Sequence, residues 1–159
     1  MVTEPVAETR CEALFDLIGD ERITLMGLLL ETHARLTRVL SAALEARCGV
    51  PLTWFDVLLR VGRSPQGRLT MSQLASQVSV TTGGGTRLVD RIAEAGYVER
   101  QSCPSDRRSI YVALTPAGIE KLREATTLHL EDLERYLLEP LDTDERVALA
   151  ATLRKLQQA

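Results

Sequence analysis

LTMSQLASQVSVTTGGGTRLVDRIAEAGYVERQSCPSDRRSIYVALTPAG, residues 69–118, is the stretch whose reading decides the fold. Thr70-Met71-Ser72-Gln73 has the form of a capping box, in which Thr70 accepts from the amide of residue 73 and Gln73 returns a bond to the cap. A short helix is predicted from there to about Val78. Ser79-Val80-Thr81 reads as a turn, and Thr81 or Thr82 caps a second helix that runs to about Ala95. Gly96 ends it. Tyr97–Cys103 and Ser109–Leu114 are strand-like, the second with Ile110, Val112 and Leu114 alternating with Tyr111 and Ala113. Pro104-Ser105-Asp106-Arg107 between them is a turn-forming tip. Two short helices joined by a tight turn, followed by a hairpin, is the winged helix-turn-helix layout.

Helical projection gives the second helix two sides. Leu88, Ile92 and Ala95 fall together and are expected to pack inward. Gly83, Thr86, Arg87, Asp90 and Glu94 fall on the other side. Small hydroxyl residues and arginine near a helix start are the groups that enter a major groove, bond phosphates and reach base edges. Ser72, Thr81, Thr82, Gly83, Thr86, Arg87 and Arg91 are therefore read as nucleic-acid contacts. Gly83-Gly84-Gly85 is unusual, since each glycine costs a helix about 0.8–1 kcal/mol relative to alanine. Three readings stay open: bare amides approaching a phosphate, a helix that firms up only on DNA, or small residues where two helices cross. A phosphate-binding nucleotide loop is excluded, because no Gly-Lys-Ser or Gly-Lys-Thr follows.

Working outward, Asp20–Arg47 carries Ile23, Met26, Leu30, Leu36, Val39, Leu40 and Leu44 at helical spacing. A shorter helix is possible before it, where Leu14, Leu17 and Ile18 share a face. Gly49 and Pro51 stop the long helix, and Thr53 is expected to cap the next, from Trp54 to Val61. Thr115-Pro116 starts a helix that runs to about Leu138. Asp142 with Glu145 caps a last one to about Gln157. Leu133, Leu137, Leu141, Leu149, Leu153 and Leu156 make these C-terminal stretches amphipathic. A head of about fifty residues cannot bury them all, so a second copy is expected to cover them. The expected class is mainly α with a small β-hairpin wing. It divides into an N-terminal arm and dimerisation helix (1–52), a winged head (53–115) and C-terminal dimerisation helices (116–159), within one structural domain.

Net charge is −3 overall, yet the charge is not evenly spread. From Arg60 to Arg108 eight arginines face four acids, a local +4, while the segments before and after carry −4 and −3. A basic middle between acidic ends is the electrostatic footprint of a polyanion-binding head. No apolar run reaches membrane-spanning length and no signal segment opens the chain, which points to the cytoplasm and away from membranes. Cys11, Cys48 and Cys103 form neither a disulfide framework nor a metal-ligand spacing, so no metal or cofactor is expected. With two histidines, no paired carboxylates on a clear face and no nucleophile elbow, nothing organises enzyme chemistry.

The same stretch resembles the MarR family of bacterial transcription regulators. The resemblance is carried by Leu74-Ala75, Thr86-Arg87-Leu88-Val89-Asp90-Arg91, Gly96-Tyr97-Val98-Glu99-Arg100, Asp106-Arg107-Arg108 and Leu114-Thr115-Pro116-Ala117-Gly118. It implies a homodimer whose terminal helices interlock and whose two winged heads bind a palindromic operator in double-stranded DNA, as a repressor. The family's wing pattern of Asp, any residue, Arg lands on Asp106 and Arg108. There the arginine is expected in the minor groove and the aspartate braces it, with Arg107 beside them. Thr82, Thr86 and Arg87 carry over from its recognition helix; the glycine triplet departs from the commoner polar residues.

Relatives of this kind often bind small aromatic anions between the dimer helices and the head. The matching lining here is His33, Arg35, Trp54 and Arg60, against the plainer reading that Trp54 is core and His33 a surface or interface residue. Some relatives sense oxidants through a cysteine near the N-terminus, which in this chain is Cys11. That residue has only Arg10 beside it, against Glu8 and Glu12, and a reactive thiol needs positive surroundings. A winged-helix protein-interaction module that never touches DNA is the competing class. Such modules usually lose the outer-face arginines and the basic wing, both present here.

Overall fold

A computed structural model describes residues 14–15, 17–64, 66–77, 82–102 and 110–158, with the backbone but not the side chains of Thr82 and Gly83. Contacts divide the chain into two units, one ending at Arg38 and the other starting at Val39. Helix α1, Glu21–Cys48, runs through that boundary. After it come α2 (Leu52–Arg63), β1 (Arg68–Thr70), α3 (Met71–Gln77), α4 (Thr82–Glu94), β2 (Val98–Ser102) and β3 (Ile110–Leu114). Helix α5 (Pro116–Leu133) continues into a π-helical turn, Glu134–Leu138, and α6 (Thr143–Gln157) closes the order. No helix among the described residues is long and apolar enough to cross a membrane.

In the first unit, Asp20 starts α1. Its carboxylate accepts from the Arg22 amide at 2.8 Å and from the Arg22 guanidinium at 2.7 Å. That pairing holds the exposed Asp20 carboxyl below its usual range. Leu14, Phe15, Leu17 and Ile18 are helical and exposed, and Ile23, Leu25, Met26, Leu28, Leu29 and Leu30 of α1 are exposed as well.

In the second unit, Val57, Leu58 and Val61 of α2 meet Leu69, Leu74, Val89, Ile92, Val98 and Val112 in one core. A second cluster joins Leu44, Val50 and Phe55 to Ala125 of α5. Arg47, at the end of α1, donates to Asp132 Oδ1 at 3.1 Å and to Glu131, tying α1 to α5. Asp132 is 6% exposed, and burial of a carboxylate is tolerable only with such a partner.

The sheet has three antiparallel strands in the order β1-β3-β2. The sequence reading gave two. Strand β1 lies just before and at the Thr70 cap, where no strand was read, and its pairing of Leu69 with Val112 brings a third apolar side chain onto the core face. Helix α2 starts earlier than expected and is not capped by Thr53. The fixed φ of Pro51 presets the first turn, and its carbonyl accepts from the amides of Trp54 and Phe55 at 2.9 and 3.1 Å. The last helices start as read: Thr115 Oγ1 accepts from the Gly118 amide, and Asp142 with Glu145 forms a full capping box.

Candidate nucleic-acid interface

Helix α3 is set by a reciprocal box. The Gln73 amide donates to Thr70 Oγ1 at 3.1 Å, and Gln73 Oε1 accepts from the Thr70 amide at 2.9 Å. This satisfies two amides that a helix start leaves orphaned. Leu74 is the buried anchor, which leaves Ser72 exposed on the opposite side.

Helix α4 ends in a Schellman turn. Gly96 sits at φ +80°, the Tyr97 amide donates to Ile92 O at 3.1 Å, and the Gly96 amide donates to Ala93 O at 2.9 Å. The buried stripe of α4 is Gly85, Val89 and Ile92. Of the expected inward residues, Ile92 is buried and Leu88 is half-buried against the same core, while Ala95 is exposed. Gly85 and Val89 complete the inward side, and Gly85, with no apolar side chain, is passed over by a search for hydrophobic periodicity. The outer side is as read, with Thr86, Arg87 and Glu94 exposed.

Asp90 is on the outer side too, but it is engaged. Its Oδ1 accepts from Arg100 Nη2 of β2 at 2.6 Å, which joins the helix to the wing strand. Arg91 is exposed, with its guanidinium 5.7 Å from the Trp54 ring centre, and Trp54 meets Tyr97 edge-on at 6.4 Å. Trp54 is thus packed beneath α4.

A second joint fixes the start of α5 to the end of α4. Thr115 Oγ1 donates to Gly96 O at 2.6 Å, and the Thr115 amide donates to Tyr97 O at 3.1 Å. A Cβ at Gly118 would lie 1.9 Å from Tyr97 O, so only glycine fits there. Neither joint was read from the sequence. Their residues lie in the Thr86–Arg91, Gly96–Arg100 and Leu114–Gly118 segments, but pairing partners about ten to twenty residues apart leave no periodic signal.

Of the residues read as DNA contacts, the structure places Ser72, Thr86, Arg87 and Arg91 on the exposed surfaces of α3 and α4. Thr82 and Gly83 lie in the first turn of α4. Thr81, Asp106, Arg107 and Arg108 lie outside the described residues, as do Cys11 and Cys103. The residues read as an effector lining fall in two groups. His33 and Arg35 are exposed on α1 in the first unit. Trp54 and Arg60 are on α2 in the second. There Trp54 takes up Tyr97 and Arg91, while Arg60 Nε pairs with Asp56 at 2.9 Å on its own helix. Among the described residues no group of three or more His, Cys, Asp and Glu side chains is placed to hold a metal ion.

Residues 49–109 match the MarR family profile. The multiple antibiotic resistance protein MarR of Salmonella typhimurium is 30% identical over 137 residues, 86% of this chain and 93% of that protein. The HTH-type transcriptional regulator PecS of Dickeya dadantii is 26% identical over 136 residues, 82% and 81% of the two chains. Among solved structures, a MarR family transcriptional regulator from Streptomyces coelicolor in complex with DNA superposes with a TM-score of 0.79, at 26% identity over 87% of this chain and 88% of that one. A mutant MarR from E. coli complexed with operator DNA gives 0.77, at 29% identity over 90% and 97%. A helix-turn-helix closed by a three-stranded wing, the ordered motif set from Leu74 to Gly118 and a relative matched over nearly its whole length agree: the chain belongs to the MarR family.

Proposed function

We propose that this protein is a sequence-specific DNA-binding transcription regulator, a repressor that reads a palindromic operator as a homodimer. The observation that carries the reading is the outer side of α4. Thr86 and Arg87 are exposed there, with Ser72 exposed at the start of α3, while Asp90 locks the helix to the wing strand. A helix offered to a major groove needs exposed side chains near its start and a fixed orientation; exposed Thr86 and Arg87 support the first and the Asp90–Arg100 pair the second. Two structural relatives with this fold are in complex with DNA, which supports the assignment. Arg87 reads bases, Ser72 and Arg91 position the backbone, and Arg108 with Arg107 enters the minor groove beside the head.

The homodimer is supported by apolar surface without a cover. Leu25, Met26, Leu28, Leu29 and Leu30 are exposed on α1, and Val147, Leu149, Leu153 and Leu156 on α6. Exposed apolar side chains in such number on one helix mark an interaction surface, and a second copy supplies matching ones.

Selection of bound sequences from a random duplex pool tests the function. The expected result is a palindrome enriched by the full chain, with affinity that falls steeply as salt rises because phosphates are contacted. Failure to enrich any duplex, or binding indifferent to salt, would turn the head into a protein-interaction module.

A further inference from the structure

We propose that the outer face of the wing sheet carries a binding site for a free, unbranched alkanoate, with Arg68 taking the carboxylate and the start of α5 taking the chain. A groove of about 640 Å³ lies there, lined by Arg68, Gln101, Ala113, Leu114, Ile119 and Leu122 among others. Pockets of about 300–1,000 Å³ are the size that takes small molecules. The sheet register sets which face this is. Arg68 pairs with Ala113 and Gln101 with Tyr111, so these side chains share the face turned away from the core residues Leu69, Val98 and Val112. Val89 and Ile92 of α4 pack on the core face. The groove therefore shares no lining residue with the DNA contacts proposed above, nor with the His33, Arg35, Trp54 and Arg60 set.

Arg68 is a held cation whose partners are neutral. Its Nε and Nη2 donate to Gln66 Oε1 at 3.2 and 3.1 Å, and its guanidinium lies 4.5 Å from the Tyr111 ring centre. Among the described residues no carboxylate pairs with it. Gln66 takes the Nε–Nη2 edge, which leaves the Nη1–Nη2 edge, a fork that matches a carboxylate. Glu99 is on the same face, but it accepts from Gln101 Nε2 at 2.7 Å and stands two strands across from Arg68, roughly 10 Å away and too far to neutralise it. The apolar part of the lining is aliphatic throughout: Ala113, Leu114, Ile119 and Leu122. Ile119 is 47% exposed, surface that an alkyl chain would remove from water. One cation beside an aliphatic floor selects an amphiphilic anion with an aliphatic body. A cationic amphiphile meets like charge at Arg68, and an aromatic anion finds no ring in the lining to stack on.

Methyl NMR of the full chain tests the site, with decanoate as the probe below its micelle-forming concentration. Decanoate is expected to shift the signals of Ala113, Leu114, Ile119 and Leu122 saturably. Affinity is expected to rise by up to about fourfold per methylene from hexanoate to decanoate. Decylammonium and benzoate at equal concentrations are expected to leave these signals in place. Arg68→Gln and Ile119→Asp change side chains outside the buried core, and each is expected to weaken binding about tenfold or more. No saturable shift in wild type overturns the site. So does a shift centred on α1 or α6, whose exposed apolar side chains would then hold the chain instead. Decylammonium or benzoate matching decanoate, a flat chain-length series, or Arg68→Gln binding as wild type does, each overturns the assigned guest. The wild-type readouts stand even if a variant does not fold.

A second consequence rests on the DNA-binding reading above. The groove and α4 lie on opposite faces of the sheet, so alkanoate and duplex are expected to occupy the protein together. On the selected duplex, saturating decanoate is expected to leave Kd within about twofold of its value without decanoate. A larger rise overturns the independence of the two sites. If no duplex is bound even without decanoate, the DNA-binding reading fails, while the methyl shifts still decide the site.

Discussion

Arg100 Nη2, on the first long strand of the wing, lies 2.6 Å from Asp90 Oδ1, on the outer side of the recognition helix α4. The two side chains are 34% and 48% exposed, so solvent weakens the pair, and its share of stability is about 0.2–1 kcal/mol. Its role is alignment. Asp90→Ala should leave the thermal transition within a few degrees of wild type yet lower operator affinity by up to about tenfold, the equivalent of 1.4 kcal/mol. The charge-swapped double variant Asp90→Arg with Arg100→Asp should recover part of that loss. Equal losses in stability and affinity would show that the pair holds the fold and not the geometry.

The joint at Gly118 is more demanding. A Cβ there meets Tyr97 O at 1.9 Å, and a carbonyl in a hydrogen-bonded turn cannot swing aside as a side chain does. Gly118→Ala should therefore cost about 1–3 kcal/mol, the range for overpacking, and nearer the top of it. Thr115→Ala removes the cap on α5 and the bond to Gly96 O together, and should cost about 1–2 kcal/mol. Denaturant unfolding measures both, and a Gly118→Ala variant as stable as wild type would show that α5 is free to shift at its start.

Gly85 offers the opposite case. Its position is buried beside a cavity, and helix propensity favours alanine over glycine by about 0.8–1 kcal/mol. Gly85→Ala should raise the unfolding midpoint, through the better helix propensity of alanine and a methyl added beside the pocket that Gly85 lines. A destabilised Gly85→Ala would mean that the backbones of α3 and α4 approach too closely for a Cβ, which is the helix-crossing reading of the glycine run.

These three joints also show what the sequence makes legible. Capping boxes at Thr70 and Asp142 are local, four residues long, and were readable as they stand. The start of α2 was misplaced because Thr53 is a good cap by type, while Pro51 acts by geometry. On α4, Leu88 and Ile92 turn inward as read, but Gly85 is silent in any hydrophobic pattern and its burial was missed. Strand β1 is three residues long and exists only through its pairing with β3, so nothing local announces it. The π turn at Glu134–Leu138 is likewise invisible, since its residues are ordinary helix formers; it is closed by the Glu139 amide on Glu134 O at 2.7 Å, and Arg146 of α6 donates to Leu138 O at 2.8 Å and pairs with Glu134. Of the site, exposure of Thr86 and Arg87 followed from helical period alone, whereas the pairing of Arg100 with Asp90 on the same helix required the fold.

Acidification should act through His129. Its ring tilts against Phe55 at 4.7 Å, its Nδ1 is buried without a hydrogen-bond partner, and burial lowers its pKa below the ordinary 6.5. Asp132, one turn on, opposes that shift without cancelling it, and Asp132 is itself engaged by Arg47, which also holds Glu131. The sign follows from proton uptake. Near its ordinary pKa the unfolded chain binds a proton at His129 more readily than the folded chain does. Stability contributed by the neutral ring is therefore complete above that value and is lost as pH falls through it toward the lower folded value. The unfolding midpoint should fall between about pH 7.5 and about pH 5.5, a window above the titration of ordinary carboxylates. His129→Gln, which carries no titrating ring, should flatten the slope in that window. An equal slope in wild type and His129→Gln would assign the acid sensitivity to other groups and leave the buried imidazole a packing residue only.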